Sequence, residues 1–113
     1  MSIDHIYNLG IRPDWWKLPA INQAATEKVC ALIEERDSWC RGVVILGLAA
    51  PMEQVIAGLK DAASVPLVKG FAVGRTLFAE SSEDWLAGKI TDDQLVQQVA
   101  AQYAVIVDAW RAL

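Results

Sequence analysis

The chain has 113 residues, enough for one domain and too few for two. Hydrophobic residues make up 54% and charged residues 21%, so the composition supports a sizeable core and no segment reads as disordered. The net charge of −4, the scattered Lys and Arg residues and the lack of an apolar run near the roughly 18–20 residues of a membrane span argue against nucleic acid or a membrane as partner.

The chain opens with residues 3–9, the tail of a helix that stops at Gly10, a usual residue just past a helix C-terminus. His5 lies on it, and as the single histidine it reads as a terminal helix residue rather than a metal ligand or catalytic base. Met1-Ser2-Ile3-Asp4-His5 has no basic stretch followed by an apolar one, so it is not a signal peptide and a cytoplasmic location is expected. Residues 12–18 form a first strand. From Ile21 to Arg36 the positions Ile21, Ala25, Val29, Leu32 and Ile33 follow helical spacing, and Asp37-Ser38 breaks the helix. Cys30 and Cys40, with no Cys-x-x-Cys pair and no companion histidine, read as reduced thiols rather than zinc ligands.

Residues 42–48, Gly-Val-Val-Ile-Leu-Gly-Leu, are a continuous apolar run rich in β-branched residues, the pattern of a strand buried on both faces in a parallel sheet. Pro51 suits the first turn of the next helix, and Met52, Val55, Ile56 and Leu59 give that helix an apolar face. A third strand is expected over 67–74 and a short helix carrying Trp85 over 76–87. Thr91 and Gln94 have capping-box spacing, and the last helix runs through Leu95, Val99, Tyr103, Ile106 and Trp110. Strands alternating with helices predict an α/β fold with parallel pairing and right-handed crossovers. Three such strands leave two free edges, which predicts a homo-oligomer that covers them.

The candidate chemistry sits at strand ends. In a strand Trp15 and Lys17 share one face while Trp16 and Leu18 share the other. Lys17 is therefore either a solvated charge snorkelling over the indoles or an amine desolvated among them, and only the second lowers its pKa enough to attack a carbonyl. Gly74-Arg75-Thr76 follows the third strand and opens a helix, an arrangement open to an anion, with Gly47 after the second strand as the other half of such a site. The plain alternative is a left-handed turn beside a surface arginine. Most of the carboxylates fall on predicted helices, where a solvated face is usual, and no pair is placed for acid–base work. The five tryptophans read as core or interface anchors.

Three segments taken together, 10–18 (Gly-Ile-Arg-Pro-Asp-Trp-Trp-Lys-Leu), 40–48 (Cys-Arg-Gly-Val-Val-Ile-Leu-Gly-Leu) and 69–76 (Lys-Gly-Phe-Ala-Val-Gly-Arg-Thr), resemble the aldolase-like domain fused to bacterial 5-dehydro-2-deoxygluconokinases of myo-inositol catabolism. More distantly the pattern is similar to tagatose-1,6-bisphosphate aldolases. The resemblance implies a partial (βα) barrel whose three parallel strands are equivalent to strands six to eight. It implies that Lys17 matches the Schiff-base lysine, and that Gly47, Gly74 and Arg75 match positions that hold a substrate phosphate. The implied substrate is a phosphorylated sugar acid, with no metal or organic cofactor. The strands that carry the acid–base carboxylate in those enzymes have no counterpart here. The expectation is therefore a poor or inactive aldolase, or else a non-catalytic module that associates with a sugar kinase or with itself.

Overall fold

The computed structural model describes residues 2–113. Helix α1 spans Ile3–Asn8, strand β1 Trp15–Pro19, α2 Gln23–Arg36, β2 Gly42–Leu46, α3 Met52–Ala63, β3 Val68–Phe71, α4 Arg75–Leu86 and α5 Asp92–Arg111. The three strands pair in parallel in one open sheet, in the order β1-β2-β3. The architecture is thus the expected α/β one.

Local chemistry accounts for most element ends. The first helix is short and complete rather than the tail of a longer one, because the Ser2 side chain accepts from the His5 N–H and caps it. Gly10, at φ +80°, then takes the left-handed conformation that turns the chain. Asn22 caps α2 by accepting from the Ala25 N–H. Thr91 and Gln94 form the reciprocal capping box that their spacing predicts.

Strand β1 begins at Trp15, three residues later than the sequence pattern suggests. Residues 12–14 lie outside the ladder: the Arg12 guanidinium donates to the Arg36 carbonyl at 2.7 Å, and the Arg41 N–H donates to the Asp14 carbonyl at 2.7 Å. Strand β2 stops at Leu46 because Leu48 and Ala49 turn left-handed, at φ +52° and +58°. Strand β3 is short and irregular, its register stepping from Val68 to Gly70 across the neighbouring Val43 and Val44.

The core lies on one side of the sheet. Trp16, Val43, Ile45 and Val68 point into it and meet Ile33, Leu59 and Ile106, none of which is exposed at all. Burial of each of those three aliphatic side chains contributes about 1.5–3 kcal/mol. The residues of opposite parity are not covered. Trp15 is 47% exposed, Lys17 and Pro19 are exposed, and Val44 and Leu46 on the central strand are half-buried. The expectation that β2 is buried on both faces is therefore corrected, since the described helices do not cover this side.

The tryptophans divide between core and surface. Trp16 is the one in the core, and Trp110 packs against it from α5. Trp39 is 88% exposed on the turn between α2 and β2, and Trp85 uses its indole N–H to reach the Asp92 carboxylate at 2.7 Å, tying α4 to α5. Cys30 is buried and Cys40 half-buried, both as free thiols. No described helix is long and apolar enough to cross a membrane.

Candidate functional site

Parallel strands direct their C-terminal ends to one side of the sheet, and the loops that follow them gather there. Here those loops are residues 47–51 after β2 and 72–74 after β3. Together with the face of β1 they enclose an open cleft of about 250 Å³. Lys17, Gly47, Gly74 and Arg75 all line it, joined by Leu46, Leu48, Ala49 and Phe78. Four residues chosen from separate parts of the sequence thus meet in one place.

Lys17 reaches the cleft because Trp16 does not. Trp16 is held in the core, so strand alternation turns Lys17 to the opposite face, alongside Trp15. The amine is exposed there, and Trp15 beside it is itself half open. The reading of a lysine desolvated among indoles is corrected, since Lys17 is exposed among the described residues.

The two glycines owe their place to close approach, not to left-handed backbone. A Cβ on Gly47 would stand 2.9 Å from the Val73 Cγ1, so a bare Cα is what lets the β2 loop meet the β3 loop. The Thr76 hydroxyl donates to the Ala50 carbonyl at 2.7 Å and fastens the β2 loop to the first turn of α4. Gly74 is the N-cap of α4 at φ −123°, which rules out the left-handed turn offered as the plain alternative. A Cβ there would meet the Phe78 ring at 3.1 Å. No side chain caps α4, so its first turn offers N–H groups to the cleft, and the exposed Arg75 stands beside them.

The signal that sequence reasoning missed is Leu48-Ala49. Two consecutive non-glycine residues in the left-handed region form part of the wall of the cleft. Such backbone concentrates at functional sites. Nothing in the residue types announces it, because Gly47 next door is the residue that pattern alone would assign to the turn. Gly47 and Leu48 also line a second cleft of about 260 Å³ toward α3, with Ala20 and Gly58 on its far side. The β2 loop is therefore a partition between two clefts.

Chemically the first cleft is cationic and apolar. It holds one amine and one guanidinium, and no carboxylate lines it among the described residues. It can attract and hold an anion. It has no group to relay a proton during carbon–carbon cleavage.

No curated protein and no solved structure matches the chain. A family described as an uncharacterized protein conserved in bacteria (DUF2090) matches residues 1–113. The chain, over that whole span, belongs to this bacterial family.

Proposed function

We propose that this chain carries the amine and phosphate half of an aldolase-type site, its three strands being equivalent to strands six to eight of a (βα) barrel. Lys17 is the Schiff-base position, and Gly47, Gly74 and Arg75 hold the phosphate of a phosphorylated keto sugar acid in carbohydrate catabolism around myo-inositol. The observation that supports this reading is the convergence of those four residues on one cleft at the C-terminal ends of parallel strands.

In the proposed reaction the neutral Lys17 amine adds to the keto carbonyl, a proton is taken up from solvent and water leaves, giving an iminium. The iminium takes up the electron pair released as the bond between its α and β carbons breaks, while a base removes the proton from the β-hydroxyl, which becomes the carbonyl of the departing aldehyde. The enamine left on Lys17 is then protonated and hydrolysed. The base is the part this cleft lacks among its described lining residues. The chain alone therefore binds the phosphate and turns over poorly. Positioning by a completed site is worth about 7–11 kcal/mol in such reactions.

Borohydride reduction in the presence of dihydroxyacetone phosphate tests the chemistry. The expected result is covalent mass on the wild-type chain that is lost in Lys17→Ala. Phosphate bound through Arg75 without any trapping would instead favour the second reading, a non-catalytic binding module. That reading draws on the exposure of Lys17 and the missing carboxylate. Pairing between copies would cover the free edges of β1 and β3, and it would leave the face of the sheet bare.

A further inference from the structure

We infer that the bare face of the sheet docks a carboxylate-bearing, otherwise apolar surface of another polypeptide, and that a second copy of this chain is not its occupant. The inference does not rest on Schiff-base chemistry at Lys17.

The first support is architectural. Parallel sheets are stable when both faces are covered. Here the helices pack on the side of Trp16, Val43, Ile45 and Val68. The other side shows Trp15, Lys17, Val44 and Leu46, and the Lys69 stem lies there too, close to where a Gly42 Cβ would stand. Half-buried Val44 and Leu46 on a central strand are a sheet interior without its second layer.

The second support is area. The chain exposes 7261 Å², whereas a folded monomer of 12.4 kDa is expected to expose about 6,100 Å². Its radius of gyration is 16.5 Å against about 13 Å for a compact chain of this length. The surplus of about 1,100 Å² exceeds one side of a standard interface, about 800 Å², and is shared between this face and α5, whose one buried residue is Ile106.

The third support is charge, and it selects the occupant. The three strands contain two ionisable side chains: Lys17, exposed on the bare face, and Lys69, whose stem lies there while its ammonium donates to the Pro66 carbonyl at 2.8 Å. Arg75 stands at its rim, in the cleft with Lys17. The strands contain no Asp or Glu, although the chain as a whole has 14 acidic residues against 10 basic ones. A face-to-face pair of copies sets two identical cationic faces together, and the strands of neither supply a counter-charge. A surface that presents carboxylates to Lys17 and Lys69 and apolar side chains to Trp15, Val44 and Leu46 satisfies both requirements.

The test uses a charge-reversed copy of the chain as the acidic probe. Lys17→Glu/Lys69→Glu keeps the sheet face and replaces its ammonium groups with carboxylates. Sedimentation of wild type, variant and an equimolar mixture should show heterodimer in the mixture at least about tenfold tighter than either homodimer, weakening as salt rises. Lys69→Glu alone serves as the probe if the double variant fails to fold by circular dichroism, with a smaller preference expected. Wild type that self-associates as tightly as the mixture would overturn the inference in favour of a second copy. Monomers in every sample would overturn it as well, because the face would then dock nothing. Borohydride trapping at Lys17 is read separately, so either proposal can fail without the other.

Discussion

The indole N–H of Trp16 donates to the hydroxyl of Tyr7 at 2.9 Å, with the two rings edge to face and their centroids 5.5 Å apart. Both residues are buried, and the bond joins α1 to β1. The Arg36 guanidinium covers the Tyr7 ring at 5.6 Å while pairing with Asp4 and donating to the Asn8 side chain. A satisfied Trp16 has no reason to leave the core, and a Trp16 held inside places Lys17 outside. The orientation of the candidate amine is thus decided by a hydrogen bond on the other face of the sheet.

Tyr7→Phe should accordingly cost about 1–3 kcal/mol, because it strands the Trp16 N–H in the core. Trp16→Ala should cost about 3–5 kcal/mol through the cavity it leaves. Trp15→Ala, at a half-exposed position, should cost clearly less than Trp16→Ala. Urea denaturation of the three variants checks the order, and equal losses at Trp15 and Trp16 would contradict the assigned faces.

Alkaline pH should destabilise the chain. Burial, the largest cause, raises the Tyr7 phenol above its ordinary 10.0, against a smaller lowering by the Trp16 hydrogen bond. Burial also raises the Cys30 thiol above 9.0, with Glu34 and Cys40 adding to it. Each native group holds its proton more tightly than the unfolded one. Their contribution is therefore complete below pH 9.0 and is lost as pH rises past 9.0 for Cys30 and 10.0 for Tyr7. Thermal melts across this range should fall, with a shallower fall in Tyr7→Phe and in Cys30→Ala than in wild type.

The left-handed pair in the β2 loop makes a prediction of unusual sign. An L-residue in that region costs about 1–2 kcal/mol, and glycine removes the cost while giving up about 0.5–1 kcal/mol of chain entropy. Ala49→Gly should leave stability unchanged or raise it by about 1 kcal/mol. Leu48, 71% exposed at φ +52°, should behave alike. Chemical denaturation checks both, and a marked loss on either substitution would show that the side chain, not the backbone, holds the loop.

Gly58 gives the opposite case. In an ordinary helix interior, Gly→Ala stabilises by about 1 kcal/mol. Here a Cβ would fall 2.5 Å from the Ala20 Cβ, so Gly58→Ala should destabilise by about 1–3 kcal/mol. Gly47→Ala should cost a similar amount and also weaken binding of inorganic phosphate, since it pushes the β2 loop away from Val73. Calorimetric titration with phosphate separates the two, because Gly58 lies outside the Lys17 cleft.

Much of this architecture is legible in residue order. Helical spacing from Ile21 to Ile33 marks α2, and Thr91 with Gln94 marks the start of α5, because both are local signals read within a few residues. Alternation in Trp15-Trp16-Lys17-Leu18 is enough to separate the two faces of β1. The run Val43-Val44-Ile45-Leu46 reports apolar character on both faces, and it cannot report whether a second layer is there to meet them.

What residue order determined by itself was therefore the set of elements, their parallel order, and the short roll of residues at strand ends, since periodicity, caps and strand alternation act over neighbouring residues. Only the tertiary structure decided that Lys17, Gly47, Gly74 and Arg75 share a cleft, that Leu48-Ala49 form its wall, and that the amine stands in the open. Those outcomes depend on close approach between segments far apart in the chain: Gly47 against Val73, Thr76 against Ala50, Trp16 against Tyr7. Such contacts fix where a side chain ends up and how much water reaches it, and no local pattern encodes either.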